Sequence, residues 1–341
     1  MGFVGFGSHA SVASAHEVYV LTSPEVSTAI TAPSPNPFGA IPGQELKFLS
    51  YGALTLVVAL VVLSISVSRL FEKVFDPFLI RLKKYAPIIA RVTFGLSVFA
   101  SGYFGSFFGP ELQIHSLFAE GFASAVSISL MIAGALIVLG FLTRFMALYM
   151  LAVFTFAAST YGTYMLTYAN YLGEAVLFLI LGGGRWSLDG AVPELRALDR
   201  AFGRLARSAE RYSFLILRVL FGTALFFASF YAKFLHSNLA LQTVNDYHLT
   251  NYFHFTPLFL VLGAFIIEAL IGICFATGFE IRFAALFFTF FITISLLFFG
   301  ETVWPHLILF GVNMALFAHG YDKYTLEKAL FQRKRKGEPV L

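Results

Sequence analysis

The chain has 341 residues, of which 58% are hydrophobic and 12% are charged, and its formal net charge is +4. Soluble domains contain about 45–50% apolar and about 25% charged residues, so a soluble globular protein is excluded. No basic stripe lies on a soluble face, which excludes a nucleic-acid partner. The single cysteine, Cys274, excludes an internal disulfide and a CxxC redox pair. With a mean hydropathy of +0.79, the chain is predicted to have the lipid bilayer as its solvent.

Nine apolar stretches are long enough to form transmembrane helices, since about 20 residues cross the hydrocarbon layer. They cover residues 47–68, 87–109, 122–143, 145–166, 169–184, 213–235, 257–279, 283–300 and 302–320. We therefore predict an all-α polytopic membrane protein with about nine transmembrane helices.

The basic residues predict the orientation in the membrane. If the amino terminus lies outside, 21 of the 23 Lys and Arg residues fall on the cytoplasmic side, and only Lys47 and Lys233 fall outside. Positively charged residues are retained on the cytoplasmic side of membrane proteins. The sequence thus predicts a multi-pass protein of the cell (plasma) membrane, with its amino terminus outside and its carboxyl terminus in the cytoplasm.

The regions outside the apolar stretches define the remaining segments. Residues 1–45 are rich in Ser and Pro and predict an extracytoplasmic segment. Within it, Ala13-Ser14-Ala15 has the small-x-small pattern of a signal-peptidase site, so residues 1–15 are either a cleaved signal peptide or part of the mature chain. Residues 46–85 are predicted to form a leading transmembrane helix and a cytoplasmic linker. Basic residues predict an interfacial helix at 191–212 and a cytoplasmic tail at 326–341.

Two sequence patterns recur in register along the chain. Residues 91–95 read RVTFG and return at 218–222 as RVLFG; residues 140–148 read GFLTRFMAL and return at 278–286 as GFEIRFAAL. Each copy spans four helices, and an even number of crossings returns the chain to its starting side. The pattern predicts two parallel four-helix bundle repeats, at 86–190 and 213–325, after the leading helix.

Each repeat resembles a DoxX-like unit. The resemblance consists of an Arg early in helix 1, a Gly-Phe-x-x-Arg turn between helices 2 and 3, and, after the first repeat's helix 4, Gly-x-x-Ser-Leu-Asp at 184–189. Glu268 matches an acidic residue often found in helix 2 of the family, whereas Leu130 stands at that place in the first repeat. The family includes subunits of a thiosulfate:quinone oxidoreductase. The resemblance implies a quinone-linked membrane subunit with a redox partner subunit, and a first repeat that has lost its site.

Glu268 is the main candidate site residue. It lies near the middle of a predicted transmembrane helix, where an ionised carboxylate costs several kcal/mol. Lys233 and His306 are the candidate partners in the same repeat, and we predict that these three residues form the catalytic site. The alternative is a neutral Glu268 that only packs against a backbone carbonyl.

Three further residues are predicted to bind the cofactor, which the resemblance implies is a quinone. Glu174 lies near the outer end of its helix and corresponds, by a rough alignment, to His306. Arg91 and Arg218 lie just inside the predicted cytoplasmic helix ends. Their side chains are expected to extend to phosphate groups at the membrane surface or to contact a lipid or quinol headgroup.

An outer loop supplies candidate metal ligands. His248, His254 and Asp246 lie in or beside the enlarged loop of the second repeat, and such side chains bind Zn²⁺ or Cu²⁺. Their spacing does not match a compact motif, so a bound metal is not expected. Two alternatives to a redox subunit follow: a transporter or metal- or small-molecule-handling protein that uses these histidines, and a non-catalytic membrane scaffold.

Overall fold

The fold comes from a computed structural model that describes residues 21, 23–68, 70–192, 203 and 206–331. Within these residues every regular element is helical, apart from an isolated antiparallel bridge between Ser106 and Gln113. The segment 1–15 and most of the predicted interfacial helix and basic tail lie outside the described residues. The prediction of an all-α polytopic membrane protein is confirmed.

The amino-terminal region consists of short elements and one long apolar helix. Helix α1 spans Ser23–Thr31, a 3₁₀ turn spans Pro37–Ala40, α2 spans Glu45–Ser68 and α3 spans Leu70–Lys83. None of the apolar window of α2 is buried within the protein, as expected for a helix surrounded by lipid. Its first turns contact the loop before a later helix, where the ring of Tyr51 lies 5.3 Å from that of Phe255.

Each predicted repeat contains four main helices, and the second has an additional helix between its first two. The first contains α4 (Ala86–Tyr103), α5 (Glu120–Leu139), α6 (Thr143–Tyr161), α7 (Ala169–Leu181) and the short α8 (Leu188–Ala191). The second contains α9 (Ser213–Phe230), a π-helical segment (Tyr231–Leu235), α10 (Ser237–Asp246), α11 (Pro257–Thr277), α12 (Ile281–Phe299) and α13 (Leu307–His319), and α14 (Leu326–Phe331) follows. A helix occupies each of the nine predicted apolar stretches.

By length and composition, seven stretches of the described residues could cross a membrane, and one of them joins α6 to α7. Helices α7 and α13 have 13 residues each, which corresponds to about 20 Å at the α-helical rise. A 3₁₀ segment precedes each of them, at Gly162–Tyr168 and at Trp304–His306. These segments lengthen the path of each fourth helix, because the 3₁₀ rise is about 2 Å per residue.

Glycine allows the first two helices of each half to pack closely. In the first half, a Cβ atom on Gly134 would lie 2.6 Å from the carbonyl oxygen of Gly95. In the second half, a Cβ atom on Gly272 would lie 2.7 Å from the carbonyl oxygen of Gly222. Small residues at such crossings let helix backbones approach in membranes, where dispersion and close packing hold helices together.

The two halves pack across each other. Helix α4 lies along α5 and also along α13 of the other half, while α9 lies along α11 and also along α7. Gly173 of α7 marks this second contact, because a Cβ atom there would lie 3.2 Å from Leu220 Cβ. The fourth helix of each half therefore packs on the first helix of the other.

Residues with positive φ recur at a constant interval in the two halves. Gly140, Leu142, Gly162 and Gly182 have positive φ, and so do the residues 138 positions later, which are Gly278, Glu280, Gly300 and Gly320. Six of these eight residues are glycines that directly follow a helix, where glycine adopts a positive φ without strain.

Candidate functional site

Arg91 and Arg218 occupy the same kind of position, at the end of the bundle where α4 and α9 begin. Arg91 donates to the carbonyl oxygens of Gly183 and, at 2.7 Å, Trp186. Arg218 donates to the carbonyl oxygens of Phe275 at 3.1 Å and Ala276 at 2.9 Å. The two arginines are 3% and 2% exposed, respectively. The expectation that they extend to the membrane surface is wrong, because helix-end carbonyls hold their guanidinium groups inside; their role towards a cofactor stays a prediction.

Arg144 and Arg282 satisfy the ends of the fourth helices at the same end of the bundle. Arg144 donates from Nε to the carbonyl oxygen of Leu179 at 3.0 Å and from Nη2 to that of Ile180 at 2.8 Å. Arg282 donates from Nε to the carbonyl oxygen of Phe317 at 3.4 Å. We call the end that carries these four arginines the arginine end.

Lys233 and Glu268 form an ion pair between α9 and α11. Lys233 Nζ lies 2.9 Å from Glu268 Oε2, and the two side chains are 8% and 21% exposed. Lys233 lies in the π-helical segment that continues α9. Single-turn π-helical segments occur often at functional sites. Of the two partners predicted for Glu268, the structure places Lys233 against it.

His306 is paired with a different acid. Its Nε2 atom lies 2.9 Å from Glu301 Oε2, its Nδ1 atom lies 3.1 Å from the carbonyl oxygen of Thr302, and the histidine and glutamate side chains are 1% and 2% exposed. The carbonyl contact requires a proton on Nδ1, and Nε2 faces the Glu301 carboxyl group. The pair lies at the start of α13, opposite the arginine end.

Two acids of the first half have buried carboxyl oxygens, and the expectation that this half has lost its site stays a prediction. Glu111 lies in the connection between α4 and α5, and its Oε1 atom accepts hydrogen bonds from Tyr164, at 2.9 Å, and Tyr168. Burial raises the pKa of Glu111 from 4.5 to about 7, more than the tyrosine hydrogen bonds lower it. Glu174 lies in the second turn of α7 and is fully buried.

Sequence reasoning did not single out Glu111. The signal was the series of tyrosines in and beside the short connection before α7, at positions 161, 164, 168 and 171. The predicted correspondence of Glu174 with His306 is also wrong. The residue 138 positions before His306, the interval of the positive-φ residues, is Tyr168.

The three predicted metal ligands lie on the exposed loop between α9 and α11. Asp246 accepts two hydrogen bonds from Gln242 Nε2, at 2.9 and 3.1 Å. His248 and His254 are exposed. Among the described residues, no group of three or more His, Cys, Asp or Glu side chains is arranged to hold a metal ion.

Comparison with known proteins identifies one family. Residues 213–301, which run from the start of α9 to just beyond α12, match the family model DoxX. Comparisons with curated proteins and with solved structures find no match. The match includes both Lys233 and Glu268. The chain is therefore an integral membrane protein in which residues 213–301 are similar to the DoxX family.

Proposed function

We propose that the protein is a membrane subunit of a quinone-linked redox system. In this proposal the second half binds a quinone headgroup, or the proton exchanged with it, at the Lys233–Glu268 pair. The observation that carries the proposal is the 2.9 Å ion pair between Lys233 and Glu268 in an apolar helical bundle. A buried ion pair contributes little net stability, because removing two charges from water offsets their attraction. Ionisable residues within membrane segments are therefore first considered as functional sites.

The chemistry of the pair suits a quinone headgroup. An ammonium group has three N–H donors, so Lys233 can hold the Glu268 carboxylate and a carbonyl oxygen of the headgroup at the same time. Glu268 can supply a proton to that oxygen or take one from it. A bound quinone would supply two-electron redox chemistry, and a partner subunit would supply or receive the electrons.

Aromatic residues are close to the pair along the chain: Phe234 follows Lys233, and Phe265 precedes Glu268 by three residues. The ring of Phe234 lies 5.1 Å from that of Phe230 and 5.6 Å from that of Phe265. Phe38, from the 3₁₀ turn before α2, lies 6.2 Å from Phe234. Offset and edge-on ring packing of this kind also suits a flat aromatic headgroup.

Quinone retained by the purified protein tests this proposal. We expect lipid extracts of the wild-type protein to contain quinone and extracts of Glu268→Gln to lose it, while Glu120→Gln, at an exposed acid, retains it. The proposal is refuted if folded Glu268→Gln retains as much quinone as the wild type. It is also refuted if the wild type neither retains quinone nor binds a short-chain quinone.

We also propose that residues 86–190 and 213–325 are parallel copies of one four-helix unit. The constant interval of 138 residues between positive-φ positions and the matching glycine crossings support this proposal.

We further propose that the arginine end faces the cytoplasm and that the protein lies in the cell membrane, because Lys and Arg remain on the cytoplasmic side. Labelling of single cysteines in a Cys274→Ser background tests the orientation. Ser116→Cys should react with an impermeant reagent added outside, and Lys84→Cys should not; the reverse pattern would refute the orientation.

A further inference from the structure

A chain of polar side chains runs into the first half from the end of the bundle opposite the arginine end. At its entrance, the Glu111 carboxyl group receives hydrogen bonds from the hydroxyls of Tyr164 and Tyr168. Its other oxygen, Oε2, is buried and has no hydrogen-bond partner among the described residues. The entrance is therefore a carboxyl group that accepts hydrogen bonds from two tyrosine hydroxyls, which can exchange protons with it.

Tyr171 continues the chain on the next helical turn. It is 2% exposed, its ring lies 6.2 Å from that of Tyr168, and its hydroxyl donates to the carbonyl oxygen of Phe108 at 3.3 Å. The same hydroxyl interacts with the buried hydroxyls of Ser97 and Ser101. Tyr171 lies three residues after Tyr168 and three residues before Glu174, so the three side chains follow one face of α7. Tyr171 thus lies between the two acids.

Glu174 is the inner end of the chain. The residue is fully buried, and within the described part of the protein neither carboxyl oxygen has a hydrogen-bond partner. The same is true of Oδ1 of Asn170, one helical turn earlier, which is 1% exposed. An ionised carboxylate without donors at such a site would cost several kcal/mol, so the group is expected to hold a proton.

The position of Glu174 connects the chain to the other half. A Cβ atom on the preceding residue, Gly173, would lie 3.2 Å from Leu220 Cβ and 3.4 Å from Leu217 Cα, both of α9. On the other side of α7, Phe178 stacks on Phe94 of α4 at 5.9 Å. Glu174 therefore lies where both halves meet, and a proton held there is close to the interface between them.

We propose that Glu111, Tyr168, Tyr171 and Glu174 form a buried proton-transfer path in the first half. Its ligand is the proton, held by Glu111 at the entrance and by Glu174 inside. In one transfer, the Tyr171 hydroxyl turns from the Phe108 carbonyl to the Glu174 carboxyl group, accepts its proton and passes its own hydroxyl proton to Tyr168. Tyr168 in turn protonates Glu111. One proton moves outward, no electron is transferred, and the tyrosines are restored as neutral hydroxyls once their hydrogen bonds reverse.

The path is independent of the Lys233–Glu268 site and adds a function to the first half. The pKa of Glu111, which burial raises to about 7, supports the entrance role, because such a group both accepts and releases protons near neutral pH.

Infrared spectroscopy of the full chain in lipid nanodiscs tests the proposal. A protonated Glu174 should give a carboxylic-acid carbonyl band that Glu174→Gln removes, and this band should shift after transfer from H₂O to D₂O. Tyr171→Phe should slow that exchange by about 100-fold, the lower end of the effect of a positioned proton-transfer group. Tyr149→Phe is the matched control. The Tyr149 hydroxyl lies 2.6 Å from the hydroxyl of Ser129 and is not part of the path.

Two results would overturn the proposal. One is a Glu174→Gln spectrum that has lost no carboxylic-acid band, which would mean that Glu174 is ionised. The other is a Tyr171→Phe protein whose band exchanges as fast as that of the wild type. If Tyr171→Phe fails to fold, Tyr168→Phe is judged by the same criterion. Quinone retention is a separate measurement, so failure here leaves the test at Glu268 unaffected.

Discussion

The buried carboxyl group of Glu111 should make the stability of the protein depend on pH. The perturbation that isolates this effect is Glu111→Gln, which keeps an acceptor oxygen for Tyr164 and Tyr168 and cannot ionise. The substitution leaves the neighbouring tyrosines unchanged; they are Tyr161, Tyr164, Tyr168 and Tyr171.

The magnitude follows from the pKa. Burial places the pKa of Glu111 at about 7 in the folded protein, against an ordinary value of 4.5. This difference corresponds to about 3 kcal/mol of unfolding free energy. Because the pKa is raised on folding, the contribution is fully present below pH 4.5. The contribution is lost as the pH rises through about 7. Over this range the carboxyl group ionises readily in the unfolded protein, whereas in the folded protein it must either keep its proton or ionise while buried.

The assay is thermal or denaturant unfolding of wild type and variant in the same nanodiscs, at about pH 5 and about pH 8. We expect the two proteins to be similar in stability at the lower pH and Glu111→Gln to be the more stable at the higher pH, by up to about 3 kcal/mol. Glu120→Gln, at an exposed acid, should show no such change between the two pH values. A difference between wild type and Glu111→Gln that is the same at both pH values would refute the reasoning.

Three further variants test the packing and the polar contacts by their unfolding free energy. Gly134→Ala should destabilise by about 1–3 kcal/mol, because its Cβ atom would overlap the backbone of α4, whereas Gly121→Ala, which meets nothing within 4 Å, should not; equal effects would contradict the close crossing. Lys233→Met should destabilise by at least about 2 kcal/mol by leaving Glu268 without its cation, and adding Glu268→Gln should restore part of the loss. Asp189→Ala should cost about 1–2 kcal/mol, because its carboxylate accepts from two backbone N–H groups at the start of α6, at 2.7 and 3.0 Å; an unchanged stability would rule out this cap.

The helices were predictable from the sequence because lipid leaves the backbone few choices. Each apolar stretch must satisfy its own N–H and C=O groups, so hydrophobicity alone located α2, α5 and α11 to within a few residues. The stretch predicted at 302–320 begins before α13, and the stretch predicted at 145–166 continues beyond α6, because hydrophobicity does not distinguish an α-helix from the 3₁₀ turn beside it.

The sites were less predictable than the helices. Glu268 stood out because it interrupts an apolar run, and Lys233 was one of two candidates for its partner. Glu111 did not stand out, because it lies in a polar connection after Gly-Pro, where an acid is ordinary on a surface. What buries it is the packing of the 162–168 turn against the 104–119 connection, a contact that no local pattern encodes.

The crossed packing of the fourth helices has a consequence for how such a chain could arise and change. Neither four-helix half is complete alone, since α7 and α13 each find their main first-helix neighbour across the divide. A single unit of this kind would have to associate with a second to bury the same surfaces. Joining two such units into one polypeptide keeps them at equal numbers and removes the requirement that they be identical. Each half can then carry polar side chains that the other lacks. The second half has the Lys233–Glu268 ion pair, and the first has the buried carboxyl oxygens of Glu111 and Glu174.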